Sequence, residues 1–152
     1  DARDGETSLR ARLDRDHAEF AKLSSYAEYS KNSTQSIAPS VQTTLALTEV
    51  KTNENVTFLS GTNEIQIVNA GQYEIKVQLK TSAAATNGFG IYPRCNGVNL
   101  KYFISQMKSF QHSFFCSLNV NDKITFVVLH YEASAIDVIS DNETYFQIKK
   151  VG

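Results

Sequence analysis

From about residue 40 onward, apolar and polar side chains alternate with a period of two, and this pattern constrains the fold more than any other feature. Residues 73–80 alternate almost without fault. The inward positions predicted for this run are Tyr73, Ile75, Val77 and Leu79. Further strands are predicted at 42–50, 64–68, 88–94, 98–104, 111–118, 123–131 and 144–151. Because no helical pattern separates these runs, a parallel sheet with crossover helices is excluded and an antiparallel sandwich or barrel is predicted.

The N-terminal part has a different character. Residues 8–30 are rich in Ala, Leu, Arg, Glu and Lys, which favour a helix, and Thr7 or Ser8 can cap its start. Its apolar residues have heptad-like spacing: Leu9, Leu13, Phe20, Leu23 and Ala27. A stripe this narrow needs a partner, which is either its own domain or other copies of the chain in an oligomer stalk. Residues 31–36 are predicted to be a linker, which divides the chain into a stalk (1–36) and a head (37–152).

Size and charge limit the classes of function. The chain has 152 residues, enough for one domain, with 41 % hydrophobic and 20 % charged residues. A formal net charge of −1 argues against a nucleic-acid partner. No apolar run approaches the roughly 20 residues of a membrane span, so no membrane insertion is expected. The two cysteines, Cys95 and Cys116, are compatible with one bridge or with two reduced thiols.

No catalytic motif is present, and an enzyme is not expected. His112 and Cys116 are four residues apart on one predicted strand, a spacing that matches no known nucleophile–base motif. No cofactor and no metal are expected. The alternative is a calcium site, because three carboxylates lie close together in sequence near oxygen ligands; they are Asp137, Asp141 and Glu143. A solvated acidic loop explains the same residues.

A ligand-binding role is more consistent with the segment around the Asn96-Gly97 turn, which is the strongest hairpin signal in the chain. Aromatic, amide and basic side chains concentrate there, and these groups bind saccharides and anionic polymers. The candidate saccharide-binding residues are Tyr92, Arg94, Asn96, Asn99, Lys101, Tyr102, His130 and Tyr131. In the alternative interpretation, Tyr92 and Tyr102 pack in the core or in an oligomer interface.

Several motifs, in order, resemble the complement-type, tumour-necrosis-factor-like jelly roll. Residues 69–75 resemble its strand-opening Ala/Gly-x-Tyr motif, and 88–97 its next strand and turn. Residues 118–124 resemble its Leu-x-x-Gly-Asp-x-Ile turn, with Asn121 at the usual glycine, which Asn permits by accepting a positive φ. Residues 144–148 resemble its closing aromatic strand. The resemblance implies a mostly β, antiparallel jelly-roll sandwich that trimerises, here preceded by a short N-terminal α-helical stalk.

A second resemblance covers only the N-terminus. Residues 1–5 and 9–14 resemble a segment of baseplate and tail-fibre proteins from phages of Gram-positive bacteria. There it joins an attachment domain to a helix that carries a distal module. Because the chain starts with Asp1 rather than Met, we expect a longer protein whose missing N-terminal part contacts other baseplate proteins.

These features predict a homotrimeric, non-enzymatic receptor-binding module of a phage tail or baseplate. It would be extracellular, on the virion, and would bind a host cell-surface polysaccharide. Two alternatives remain open. One is a complement-type ligand-binding head of a secreted or spore-surface protein, and the other is a purely structural trimerising cap.

Changing Leu13, Phe20 and Leu23 to Ser together tests the stalk. Each buried Leu or Phe contributes on the order of 1.5–3 kcal/mol, three times over in a trimer. We therefore expect the trimer of the triple variant to dissociate at a higher protein concentration than the trimer of the unaltered chain, as measured by sedimentation. Its far-UV circular dichroism spectrum should keep the β signature. A collapsed β spectrum would instead show that the helix packs on its own head.

Overall fold

The strands occupy most of the chain. The computed structural model describes residues 9–13, 24–53 and 55–152. Within these residues the strands are β1 (Tyr26–Ser30), β2 (Gln35–Ile37), β3 (Thr43–Thr44), β4 (Thr48–Asn53), β5 (Val56–Leu59), β6 (Glu64–Ile67), β7 (Gly71–Lys80), β8 (Phe89–Cys95), β9 (Val98–Asn99), β10 (Phe103–Ser105), β11 (Ser109–Leu118), β12 (Lys123–His130), β13 (Ile136–Val138) and β14 (Tyr145–Lys150).

Two antiparallel sheets form the two layers of the sandwich. The five-stranded sheet has the order β11-β7-β14-β1-β4. The seven-stranded sheet has the order β10-β8-β12-β6-β5, with β3 beside β12 and β9 beside β8. Strands β13 and β2 form a separate small ladder, and the strand pairs in all three sheets are antiparallel. The predicted antiparallel jelly-roll sandwich is confirmed.

The core lies between the two sheets, and β7 shows why. Its inward residues Tyr73, Ile75, Val77 and Leu79 are all at most 1 % exposed, which confirms the predicted alternation. Across the sandwich, the ring centroids of Phe126 and Phe146 are 4.7 Å apart, so the two sheets meet through aromatic packing. Burying an apolar side chain of this size contributes about 1.5–3 kcal/mol.

Strand β1 corrects the predicted helix. Residues 26–30 form the strand between β14 and β4, and hydrogen-bond pairing on both sides outweighs their helix propensity. Ala27 is therefore a fully buried core residue beside Tyr29, and its assignment to a stalk is wrong. A helix is present at residues 9–13, where Leu9 and Leu13 are 53 % and 58 % exposed. The other two stalk residues, Phe20 and Leu23, lie outside the described residues.

The segment expected to be a linker also belongs to the sandwich. Lys31 is buried, and its Nζ donates to Gln35 Oε1 (2.6 Å) and to the Ala46 carbonyl (2.8 Å). Burial lowers the pKa of Lys31 to about 8. β2 then pairs with β13. The head thus includes residues on the N-terminal side of the expected boundary. Among the described residues, no helix has the length and apolar character needed to cross a membrane.

Two turns at one end of the sandwich are fastened together. Asn96 and Gly97 have φ of 52° and 81°, which confirms the hairpin turn, and Asn121 has φ of 70°, as its glycine-like position predicted. Asp122 links the two turns, because its carboxylate accepts from the Asn119 backbone N–H (2.8 Å) and from Asn96 Nδ2 (3.0 Å). The hydrogen bond from Asn119 is the main reason that the pKa of Asp122 is lowered.

Asp122 should make the free energy of unfolding depend on pH at acidic pH. The pKa of Asp122 in the folded chain is below the unfolded value of roughly 3.9. The carboxylate therefore stabilises the fold above that pH, and this stabilisation is lost as the pH falls through the folded pKa. We expect Asp122→Asn to lower the melting temperature most at neutral pH, with the difference from the unaltered chain narrowing below about pH 4. Asp137→Asn, which removes a carboxylate without a hydrogen-bond partner among the described residues, is the control for the loss of one negative charge.

Candidate ligand-binding surface

The outer face of the seven-stranded sheet carries the central candidate residues. Phe89 and Ile91 of β8 are fully buried, and alternation turns Tyr92 and Arg94 outward. Val127 of β12 lies opposite Tyr92 in the register and is itself buried. The outer face therefore has an apolar base under its polar groups.

Tyr92 stacks on Tyr102, with ring centroids 4.6 Å apart and ring planes 17° from parallel. Tyr102 reaches this position by lying over Gly90, where an added Cβ would be 2.7 Å from Tyr102 Cε2. Tyr102 is 51 % exposed, so the pair presents aromatic surface to solvent rather than filling the core. Aromatic faces of this kind stack on sugar rings.

Arg94 lies beside this pair in a fixed orientation. Its Nε donates to Asn99 Oδ1 (2.7 Å) and its Nη2 donates to Gln42 Oε1 (3.0 Å). The guanidinium carbon is 6.0 Å from the centre of the Tyr92 ring. We call these five residues, Gln42, Tyr92, Arg94, Asn99 and Tyr102, the aromatic–arginine surface.

Of two further candidates, Tyr131 lies near this surface in space and Lys101 adjoins it in sequence. Tyr131 is exposed and close enough to Tyr92 to affect its ionisation: burial is the main cause of the raised pKa of Tyr92, and the phenols of Tyr102 and Tyr131 add to it. Lys101 is exposed and directly precedes Tyr102. Neither residue contributes a hydrogen bond that orients Arg94.

Asn96 is not part of this surface. Its Nδ2 donates to Asp122 (3.0 Å), and its Oδ1 accepts from the Lys123 backbone N–H (3.0 Å). Both ends of the amide therefore hold the two turns together. The assignment of Asn96 to ligand binding is replaced by this structural role.

His130 is also removed from the candidate set, because it is fully buried. Its Nε2 lies 2.7 Å from the Ile37 carbonyl, its Nδ1 accepts from the Glu132 backbone N–H (3.2 Å), and its ring stacks on Phe89. A neutral imidazole protonated at Nε2 satisfies both contacts. His130 therefore stabilises the sandwich and does not face a ligand.

The carboxylates considered for calcium make other contacts. Lys80 Nζ lies 3.2 Å from Asp141 Oδ2 and 2.9 Å from Glu143 Oε2. Asp137 is not part of this ion pair. In the described part of the chain, no group of three or more His, Cys, Asp or Glu side chains could hold a metal ion. The arrangement is a lysine clamped by two carboxylates.

The thiols and the second histidine do not form an activated pair. Cys95 and Cys116 are free thiols. Burial raises the pKa of Cys95 to about 11 and also raises that of Cys116, whereas burial lowers the pKa of His112. A nucleophilic cysteine requires the opposite directions, a stabilised thiolate beside an imidazolium. His112 instead stacks on Phe103 at 4.4 Å.

The sequence did not indicate three residues on which the surface depends. Gln42 lies 52 residues before Arg94, and Val127 reads as an ordinary strand residue. Gly90 had a local signal, since a glycine within a strand often marks a close approach by another group.

No protein-family model matches this chain, and no curated protein does. Comparisons of three-dimensional structure do find similar proteins. Murine APRIL superposes with a TM-score of 0.66 at 16 % identity, over 84 % of this chain and 99 % of that one. Eiger TNF from S. frugiperda gives 0.59 at 9 % identity, over 86 % and 94 %. The PRD1 vertex protein P5 gives 0.60 at 15 % identity, over 86 % and 98 %. The chain therefore has a tumour-necrosis-factor-like jelly-roll fold.

Gly90→Ala should separate the stacked tyrosines. The added methyl group would occupy the space of the Tyr102 ring, which can swing away while the strand stays paired. We expect the ring-proton NMR shifts of Tyr92 and Tyr102 to move toward unstacked values. Gly61→Ala is the control, since nothing lies within 4 Å of a Cβ added there. Unchanged ring shifts in Gly90→Ala would contradict the stacked geometry.

Proposed function

We propose that this chain is a homotrimeric, non-enzymatic receptor-binding module of a phage tail or baseplate that adheres to a saccharide of the host cell envelope. The observation that carries the proposal is the aromatic–arginine surface. Its stacked tyrosine pair gives a flat apolar face for a sugar ring, and the oriented guanidinium of Arg94 supplies directed hydrogen bonds. Tyr131, which is exposed and near Tyr92, extends the same surface.

One edge of the sandwich supports a trimer. β10 and β11 end their respective sheets, and stacking of Phe103 on His112 places these edge strands side by side. Exposed apolar side chains occur on both strands and on the loop that joins them: Phe115 of β11 is 66 % exposed, and Ile104 of β10 and Met107 of the loop are also exposed. Unpaired strand edges beside exposed apolar groups favour contact with another chain, and we propose that further copies of this chain cover them.

The N-terminal segment supports attachment to a virion. Leu9 and Leu13 of the short helix are exposed in a single copy, so their apolar surface is available to a stalk formed by three copies. Together with the resemblance of residues 1–5 and 9–14 to a baseplate and tail-fibre segment, this favours an extracellular location on the virion. Contact with other baseplate proteins would then be made on the N-terminal side of the head.

Binding of the full chain to cell walls from a panel of Gram-positive bacteria tests the proposal. We expect saturable binding to walls of at least one host, by a species with the sedimentation mass of a trimer. Tyr102→Ala should weaken binding about fivefold per site, because losing aromatic stacking costs roughly 1 kcal/mol. Val120→Ala removes exposed apolar surface in the turn between β11 and β12 and should bind normally.

The pattern of results separates the functions. A trimer that binds no wall in the panel would support a structural cap. Wall binding that is indifferent to Tyr102→Ala would place the binding site elsewhere on the head. A monomer at micromolar concentration would contradict the proposed assembly.

A further inference from the structure

We infer that the aromatic–arginine surface recognises an anionic group, a carboxylate or a phosphate carried by the saccharide, with Arg94 as its principal binding residue. This inference rests on the proposed saccharide-binding role and narrows the class of ligand.

Arg94 is oriented without being neutralised. Both of its protein acceptors are neutral side-chain amides, Asn99 Oδ1 and Gln42 Oε1. Among the described residues, no carboxylate forms an ion pair with it within 4.0 Å. A guanidinium carries five N–H groups, and these two bonds use one on Nε and one on Nη2. The other three N–H groups and the full positive charge remain available to a ligand.

Lys80 provides the contrast within the same chain. It is clamped by Asp141 at 3.2 Å and by Glu143 at 2.9 Å, so its charge is balanced by the protein. Two amides hold a side chain in place as two carboxylates do, but they leave its charge uncompensated. The environment of Arg94 is thus that of an anion receptor, whereas the environment of Lys80 is that of a structural ion pair.

The surroundings favour an anion attached to a sugar over a free ion. The stacked pair of Tyr92 and Tyr102 adjoins the guanidinium and is partly exposed, so a ring on this platform can bring its substituent to Arg94. Lys101, which directly precedes Tyr102 in the sequence, is a second exposed positive charge. The planar fork of a guanidinium matches the paired oxygens of a carboxylate or a phosphate, which a lysine ammonium does not.

Three probes distinguish an anionic ligand from a neutral one, and a carboxylate from a phosphate. They are an oligogalacturonate, the same oligosaccharide with its carboxylates methyl-esterified, and an oligomer of glycerol phosphate. Titration calorimetry with the full chain should show at least one anionic probe binding about tenfold more tightly than the neutral ester. The oligogalacturonate reports a carboxylate ligand and the glycerol phosphate a phosphate ligand. Raising NaCl from about 0.05 M to about 0.5 M should weaken only the anionic probes.

Variants assign the effect to Arg94. Arg94→Gln should bind the preferred anionic probe about tenfold less tightly and leave the neutral ester unaffected, and Arg94→Lys should recover only part of the loss. Lys108→Gln removes one exposed positive charge elsewhere and should change neither. Thermal unfolding of each variant checks that the head remains folded.

Each outcome decides a different claim. If the unaltered chain shows no preference for an anionic probe, or if Arg94→Gln keeps that preference, the inference is overturned. If wall binding depends on Tyr102 but is unchanged by Arg94→Gln and by salt, the inference fails and the proposed function stands. If Arg94 binds an anionic probe while no wall in the panel is bound, the inference stands and the proposed function fails.

Discussion

The inward packing of β8 is the constraint on which the rest of the head depends. Phe89 and Ile91 are fully buried between the sheets, and this fixes the register of β8 against β12. Because side chains alternate, the same register turns Tyr92 and Arg94 to the outer face. A slip of one residue would bury the guanidinium and expose the core, so it carries a large free-energy penalty. The hydrophobic core therefore determines which side chains of β8 face outward, and the hydrogen bonds of Arg94 to Asn99 and Gln42 then set the orientation of the guanidinium.

The polar side chains divide into those whose hydrogen-bonding groups are all used within the fold and those that keep free donors for a ligand. Asn96 and His130 have their hydrogen-bonding atoms occupied by the protein, and both therefore belong to the scaffold. Arg94 is positioned by Asn99 and Gln42 and keeps free donors. In a trimer three such surfaces would act together, and linkage raises effective concentration at the second and third contacts. Modest affinity at each surface is then enough for firm attachment.

Sequence reasoning succeeded where the signal was local. The alternation at 73–80, the Asn96-Gly97 turn and the positive φ of Asn121 each follow from the residues involved, and the structure confirms them. It failed at Ala27, because the strand Tyr26–Ser30 directly follows a run of helix-forming residues, and its pairing with two neighbouring strands is not visible in the sequence. It also failed to predict the buried state of His130 and the contact of Gln42 with Arg94, since both depend on residues distant in sequence.

The two glycines of the β8 region have a mechanical consequence. Side chains from the neighbouring segment occupy the outer space that larger residues would fill: Ile104 covers Gly88, and Tyr102 covers Gly90. Residues 102–104 thus interlock with β8 through side chains as well as through the short β10 ladder. Ile104 belongs to the exposed apolar edge and Tyr102 to the aromatic–arginine surface. Assembly or a ligand that displaces residues 102–104 must therefore move the exposed apolar edge and the aromatic–arginine surface together.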